Sequence, residues 1–361
     1  MLTYLIRRIL LMVPTLIGVT LVVFYVIAMS PGGIGASLLS AEGSMRPEER
    51  RVREAYLKAR YDLDKPLIVQ YFKWFGKVSP IGAKAAGSGF PASWRLGFKV
   101  PDLGESFSFH RPVMDLVKES LPISLLLELL SLPLIYTIAI WTGIRAARAR
   151  GSFVDVGLGT ILIGLYSMPE IWAGVMMIGF LTNKISYVHW FPSNGLHDVL
   201  ADSMRYLPTW SADGFQRGYL LDLMWHLCLP VICLSYGSFA FISRLQRGAL
   251  LETLGLDFIR TARAKGLSER VVLYRHAFRN SVMPLITVMA NVLPGLISGA
   301  VIIETIFGIN GMGKLTIDSV YARDRELLMS LTLVASLLQL VGNLLADMSY
   351  AVADPRVSFV D

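Results

Sequence analysis

Three groups of residues in this chain of 361 amino acids have types and spacings that could do chemistry. The first is Gly308-Ile309-Asn310-Gly311-Met312-Gly313-Lys314, which spells the opening of a phosphate-cradling P-loop. The next position must be Ser or Thr to hold Mg²⁺, but here it is Leu315, with Thr316 one residue late, and an apolar block rather than a strand precedes the run. A glycine turn fits better, and nucleotide binding is not expected there. The second group is the acids embedded in apolar blocks, Glu128 and Glu170, with Glu304 at the end of one. An ionisable side chain at the centre of a lipid-buried helix costs about 2.5–3.5 kcal/mol, so each acid needs a partner or water. The third is the basic, Gly-punctuated stretch from Arg244 to Pro284. No Ser/His/Asp set, HExxH pair or carboxylate pair stands at helical spacing, so the chain does not read as an enzyme. Cys228 and Cys233 share one apolar block at a spacing that matches neither CxxC nor a zinc pattern, and read as inert thiols.

The elements that carry these residues are helices in lipid. The chain is 54% apolar and 17% charged, against about 25% charged in soluble domains, and the apolar residues come in long blocks. Six blocks have the length of about 17–25 residues that crosses a bilayer: Ile9–Met29, Ser120–Ile144, Val156–Asn183, Leu227–Ser243, Asn280–Ile303 and Leu327–Ala346. Strands are excluded because an open sheet edge in hydrocarbon leaves backbone groups unpaired. The first block is too long for a cleaved signal peptide, and a retained anchor is expected. Pro230, Gly237, Pro294, Gly295 and Gly299 thin or bend two of the spans, which suits either close packing or a moving gate.

The net charge of +7 invites a nucleic-acid reading, but Lys and Arg gather at the ends of apolar blocks, and no nucleic-acid partner is expected. Arg7 and Arg8, then Arg145, Arg148 and Arg150, then eight cations between Arg244 and Arg279 fall on one side. The opposite links hold three each. Both termini are therefore expected in the cytoplasm. Three regions follow: 1–29, with the first span; 30–119, an external segment with a flexible part around Ser79–Pro91; and 120–361, the core with the remaining spans. The external segment would either cap the outer mouth or dock a partner.

Within 250–280 the residues Leu250–Arg263 read as one helix, with Leu250, Leu254, Phe258 and Ala262 on an apolar ridge. Gly266 permits a left-handed turn, and Ser268 can cap a second helix through Arg270–Phe278. An anchor for topology needs no such helix–Gly–helix arrangement; a knob presented to a soluble partner does.

Asp257-Phe258-Ile259-Arg260-Thr261-Ala262-Arg263-Ala264-Lys265-Gly266-Leu267-Ser268-Glu269 resembles the coupling loop, or EAA region, of permease subunits of ABC importers in the oligopeptide/dipeptide class, with Phe258 in place of Tyr. His276-Ala277-Phe278-Arg279-Asn280 and Pro284 continue the resemblance, as do Leu103-Gly104-Glu105-Ser106, Pro112-Val113, Gly143-Ile144, Glu304-Thr305 with Phe307, Gly311 with Gly313, Asn343-Leu344, Asp347 and Asp354-Pro355-Arg356. Pro31-Gly32-Gly33, Tyr61-Asp62-Leu63-Asp64-Lys65-Pro66 and Val357-Ser358-Phe359 look most like the microcin-C/oligopeptide uptake subgroup. The general EAA pattern begins Glu-Ala-Ala and places Pro nearer the glycine; Arg260-Thr261-Ala262 and Pro284 depart from it as the peptide class does.

The resemblance implies an all-α polytopic protein with six transmembrane helices and the type I ABC importer permease fold, in a bacterial inner membrane. It implies a second homologous permease subunit, two cytoplasmic ABC ATPases or one fused ATPase, an external solute-binding protein and a peptide substrate. ATP and Mg²⁺ would bind the ATPases, with no cofactor in this chain. Ala262, Ala264 and Gly266 would let the knob sit close in an ATPase groove, while Asp257, Arg260 and Lys265 fix its register, alongside Thr261 and Glu269. Glu170 and Glu304 are candidates for the solute pathway, Glu170 either meeting a cationic group on the cargo or pairing with a neighbouring helix. The alternative is an ion-gradient-driven secondary transporter, which would need paired intramembrane ionisable groups or an internal repeat.

Overall fold

The computed structural model describes residues 2–29, 64–86, 93–182, 190–211, 214–292 and 300–353. Pro31-Gly32-Gly33, Tyr61-Asp62-Leu63, Pro294, Gly295, Gly299, Asp354-Pro355-Arg356 and Val357-Ser358-Phe359 lie outside the described residues, as does most of the stretch 30–66.

The chain is mainly helical. In order it runs α1 (Leu2–Met29), α2 (Leu67–Val78), β1 (Ile81–Ala86), β2 (Ser93–Phe98), α3 (Val113–Arg148), α4 (Phe153–Ser167), α5 (Glu170–Leu181), β3 (Thr209–Ser211), β4 (Gly214–Gln216), α6 (Gly218–Leu254) and α7 (Asp257–Ala264). A helical run from Glu269 to Ser281 follows, wound as a π-helix over Val272–Ala277. Then come α8 (Met283–Val292), α9 (Val301–Ile306), α10 (Met312–Tyr321) and α11 (Arg325–Ala353). The all-α expectation needs one correction. Two antiparallel pairs, β1–β2 with Ile81 opposite Phe98 and β3–β4 with Thr209 opposite Gln216, sit in links between apolar helices. Pairing in a hairpin satisfies backbone groups as coiling does in a helix.

Among the described residues, four helices are long and apolar enough to cross a membrane: Ile6–Met29, Val113–Arg148, Gly218–Leu254 and Arg325–Leu345. The third expected span, Val156–Asn183, is not one rod. It is α4 and α5, bent by 94°. Pro169 lacks an amide hydrogen and pushes Met168 into an extended conformation (ψ 121°), which ends α4. The Tyr236 hydroxyl donates to the freed Met168 carbonyl at 2.8 Å. The fifth expected span, Asn280–Ile303, includes 293–299, outside the described residues. At 37 residues α6 measures about 55 Å, far longer than its expected apolar part Leu227–Ser243, so it projects beyond hydrocarbon of about 30 Å.

The chain forms two compact units. One draws on Met1–Glu119 and Thr316–Leu337. Here the buried Tyr71 of α2 donates to the Ile17 carbonyl at 3.0 Å, meets the Thr20 hydroxyl at 2.9 Å and packs edge-on to Phe24. Leu103-Gly104-Glu105-Ser106 also finds its use in this unit. Gly104 takes φ +77°, and the Ser106 hydroxyl donates to Asp324 at 2.6 Å. The Ser108 amide and hydroxyl (3.0 and 2.9 Å) and the Leu327 amide (3.1 Å) complete the shell around this buried carboxylate.

The other unit draws on Ser120–Leu315 and Leu338–Asp361. In it α4 packs along α6, and α5 packs on α6 and α9. Its main cluster holds Leu127, Leu227, Leu229, Cys233, Ile303, Phe307 and Ile309. The Cys233 thiol points at the Met177 sulfur at 3.4 Å, in apolar surroundings.

Asp324→Ala leaves the Ser106, Ser108 and Leu327 donors without an acceptor. A loss of about 2–3 kcal/mol is expected, read as an earlier unfolding transition in detergent, with Asp324→Asn intermediate.

Candidate functional site: the basic knob and the buried acids

Long α6 stops at Gly255, and Leu256 turns extended (ψ 151°) to start α7. The expected single helix Leu250–Arg263 is therefore two helices with a reset between them. The reset changes which residues face inward. Ile259 and Ala262 are buried, whereas Phe258, expected on the ridge, is 40% exposed. Ile259 and Ala262 join Leu250, Val272, Leu273 and Ala277 in a cluster closed by Ile144 and Ala147 at the end of α3. The π-helical turn suits this packing, because its wider winding, bonded i→i+5, brings Val272 and Ala277 to roughly the same side.

The turn after α7 follows the sequence expectation. Gly266 adopts φ +77°, and its amide donates to the Arg263 carbonyl at 2.9 Å. A Cβ on Gly266 would meet nothing within 4 Å, so the glycine is required for its dihedral and not for space. Arg263 reaches across the turn to Glu269 at 2.8 and 3.3 Å. Asp257 and Arg260 pair at 3.1 Å on the outer surface, a contact of little energetic weight at such exposure. Thr261 donates to the Asp257 carbonyl at 3.0 Å. Of the expected site residues, Ala262 is thus turned into the chain's own cluster, while Asp257, Arg260, Thr261, Ala264, Lys265, Gly266 and Glu269 lie exposed on the knob.

Two polar contacts tie α6 to its neighbours near the knob. On α3, Gly143 lies so close to α6 that a Cβ there would come within 2.9 Å of the Ser243 carbonyl and Gln246 Cβ. Next to it the Thr142 and Ser243 hydroxyls hydrogen-bond at 2.7 Å. On α4, Asp155 accepts from Arg247 Nε at 2.6 Å, from Arg247 Nη2 at 2.7 Å and from the Gly151 amide at 3.0 Å. This two-pronged clasp fastens the start of the bent α4–α5 pair to the helix that bears the knob. The sequence does not single it out, since its members lie 92 positions apart; the Gly151-Ser152 cap beside Asp155 is the only local signal.

The acids divide. Glu304 is fully enclosed. Its carboxylate accepts from the Ser124 hydroxyl at 2.6 Å, the Lys314 amide at 2.9 Å and the Ala300 amide at 3.2 Å, while the Met312 amide donates to Ser124 at 2.8 Å. A Cβ at Gly311 would fall on the Glu304 carboxyl group, and one at Gly313 would come within 2.6 Å of Val301 Cα. Within this run the Lys314 amide is turned to an internal carboxylate and the Met312 amide to the Ser124 hydroxyl. Lys314 Nζ, which would reach a phosphate, bonds Asn310 at 2.7 Å. Glu304 therefore pins a glycine turn and starts α10, the favourable place for an anion at a helix N-terminus. Glu170 differs: it opens α5 just past the 94° bend and is exposed. Glu128, half-buried, lies within electrostatic range of both other acids. Among the described residues no group of three or more His, Cys, Asp or Glu is placed to hold a metal.

Gly311→Ala should destabilise far more than its single methyl suggests, by about 2–4 kcal/mol, because the methyl displaces the Glu304 carboxylate. Asp155→Asn should cost about 1–3 kcal/mol, limited by the one-third exposure of Arg247. Both are checked by thermal unfolding of the purified complex.

Comparison with known proteins gives this geometry a family. Residues 139–359 match the model described as "Binding-protein-dependent transport system inner membrane component", and residues 1–128 match its N-terminal companion. The oligopeptide transport system permease protein AppB of Bacillus subtilis is 32% identical, over 99% of this chain and 100% of that protein. The di/tripeptide transport system permease protein DppB of Pseudomonas aeruginosa is 34% identical over 99% of each. The peptidoglycan transport system permease protein YejB of Agrobacterium fabrum is 33% identical, over 99% of this chain and 98% of that protein. The chain belongs to the binding-protein-dependent transport system inner membrane components and is a multi-pass permease subunit of an ABC importer.

Proposed function

We propose that this chain forms half of the translocation pathway for peptides or peptide-like solutes, and that its knob at Asp257–Glu269 is the surface a cytoplasmic ATPase grips. The ion-gradient alternative has no place in a family of ABC importer subunits. A second homologous permease completes the pathway, two ABC ATPases or one fused ATPase bind ATP and Mg²⁺, and an external solute-binding protein delivers cargo. The chain has six spans and cytoplasmic termini, with 30–119 as an external segment that precedes the core 120–361. Peptide cargo is supported by the printed names of the relatives.

One observation carries the coupling role. The inner face of α7 is sealed into the chain's own core through Ile259 and Ala262, whereas its outer face offers Phe258, Arg260, Ala264 and Lys265 to a partner. A force applied there cannot be lost in a loose loop; it passes to Leu250 on α6 and Ile144 on α3. ATP binding draws the knobs of two permeases together, and the spans above open outward, accept cargo, and return after hydrolysis. Asp257, Arg260 and Lys265 fix the register of docking, and Ala264 with Gly266 allows close approach. Glu170, exposed at the bend, lines the path and meets a cationic group of the cargo. Glu304, buried among its donors, positions the glycine turn instead.

Gly266→Val should cut ATP-dependent uptake in proteoliposomes at least tenfold with the protein still in the membrane. A left-handed turn costs an L-residue roughly 1–2 kcal/mol, and a β-branched one more; Gly266→Ala should be milder. Uptake at the normal rate in the Val variant contradicts the coupling role. Glu170→Gln should weaken transport of cationic peptides several-fold and spare neutral ones. A cysteine at Lys265 should react with an impermeant maleimide only after the cells are opened.

A further inference from the structure

The end of α3 and the π-helical turn frame a cavity of about 730 Å³ that the coupling mechanism does not use. It is lined by apolar Ile140, Ile144 and Val154 together with Arg145, Arg148, Trp141 and Tyr274. The change from apolar to cationic takes place within one turn of α3, at the end of an expected span. Trp, Tyr and Arg gather in this way where hydrocarbon meets headgroups. Trp141 and Tyr274 are exposed, at 59% and 47%.

The two arginines are also available. Nearby Arg247 is held by Asp155 and Arg263 by Glu269, but among the described residues neither Arg145 nor Arg148 has a carboxylate partner. Arg145 leans over the Trp141 ring at 5.4 Å, which fixes its position without neutralising it. A second cavity of about 570 Å³ shares Arg148 and Tyr274 and adds Arg270 beside the Arg263–Glu269 pair, extending the trough under the knob with a cationic excess. The volumes suit a small molecule, and the charge calls for an anion with an apolar tail.

We propose that this trough binds an anionic phospholipid, its phosphate between Arg145 and Arg148 and its acyl chains along Ile140 and Ile144. Basic pockets between transmembrane helices hold acidic headgroups in this manner. Because Tyr274 adjoins Leu273 of the cluster beneath the knob, a lipid here braces the seat of the coupling helix. Lipid binding itself needs only the end of α3 at a membrane–water boundary, whereas the bracing role rests on the coupling assignment proposed above.

The test uses the intact transporter in phosphatidylcholine nanodiscs titrated with brominated phosphatidylglycerol or brominated phosphatidylcholine. Bromine quenches nearby indoles, and subtracting the Trp141→Phe complex isolates Trp141. Phosphatidylglycerol should quench Trp141 at a mole fraction at least fivefold lower than phosphatidylcholine, in line with a gain of about fivefold per basic residue at an anionic surface. The Arg145→Gln/Arg148→Gln variant should lose that preference, and Arg145→Lys/Arg148→Lys should keep most of it, which separates charge from packing. Equal quenching by both lipids, or a preference that survives the Gln variant, overturns the proposal. So does protection of Trp141 from both lipids, which would place a protein partner over the trough.

Discussion

The structure depends on one packed contact: Ile259 and Ala262 of the knob seated against Leu250, Val272, Ala277 and Ile144. Interiors packed this tightly do not deform continuously, so a push on one member moves the others as a body. The knob is a protrusion by charge and exposure, yet its inner half belongs to the permease core. A force applied to the knob, as proposed above, would pass into two long helices. Leu250 lies on the long helix Gly218–Leu254, which runs back toward the apolar centre, and Ile144 ends the helix Val113–Arg148.

The same logic extends inward. Arg247 holds Asp155, so the helix bearing the knob cannot shift without drawing the start of the bent pair Phe153–Ser167 and Glu170–Leu181. At the far side of that pair, Gly174 packs on Ile306 and Phe307, next to the turn that Glu304 pins. A chain of rigid contacts thus runs from the knob through Asp155 and the Pro169 bend to the turn at Gly311. Buried polar groups make such contacts specific when every donor and acceptor is matched, and the carboxylates of Glu304 and Asp155 meet that condition.

Much of this was legible in the residues. Gly266 marks the turn after α7 because its left-handed dihedral leaves few alternatives, whereas Ser268 stands at the N-cap position without the expected side-chain capping bond; Leu315 excludes a P-loop on a single position. The inner face of the knob was not legible. Fourfold spacing aligns Phe258 with Leu250 only if the helix is unbroken, and the stop at Gly255 moves Ile259 into that place. The block Val156–Asn183 reads as one span although Pro169 lies within it, and the 94° bend there depends on packing against distant helices. The Glu304–Ser124 bond and the Asp155–Arg247 clasp join residues over 90 positions apart, and spacing along the chain does not reveal such pairings. The sequence shows three costly acids; only their surroundings separate Glu304, enclosed by donors, from Glu170, exposed at a bend.

The most direct measurement replaces Ala264, on the exposed face of the knob, with the photo-crosslinking residue benzoylphenylalanine in the fully assembled transporter. If the knob is the handle by which nucleotide chemistry moves the spans, irradiation should join this chain to an ABC ATPase subunit, with a yield that changes between ATP-bound and nucleotide-free states. Crosslinks solely to the external solute-binding protein or to lipid would contradict the account.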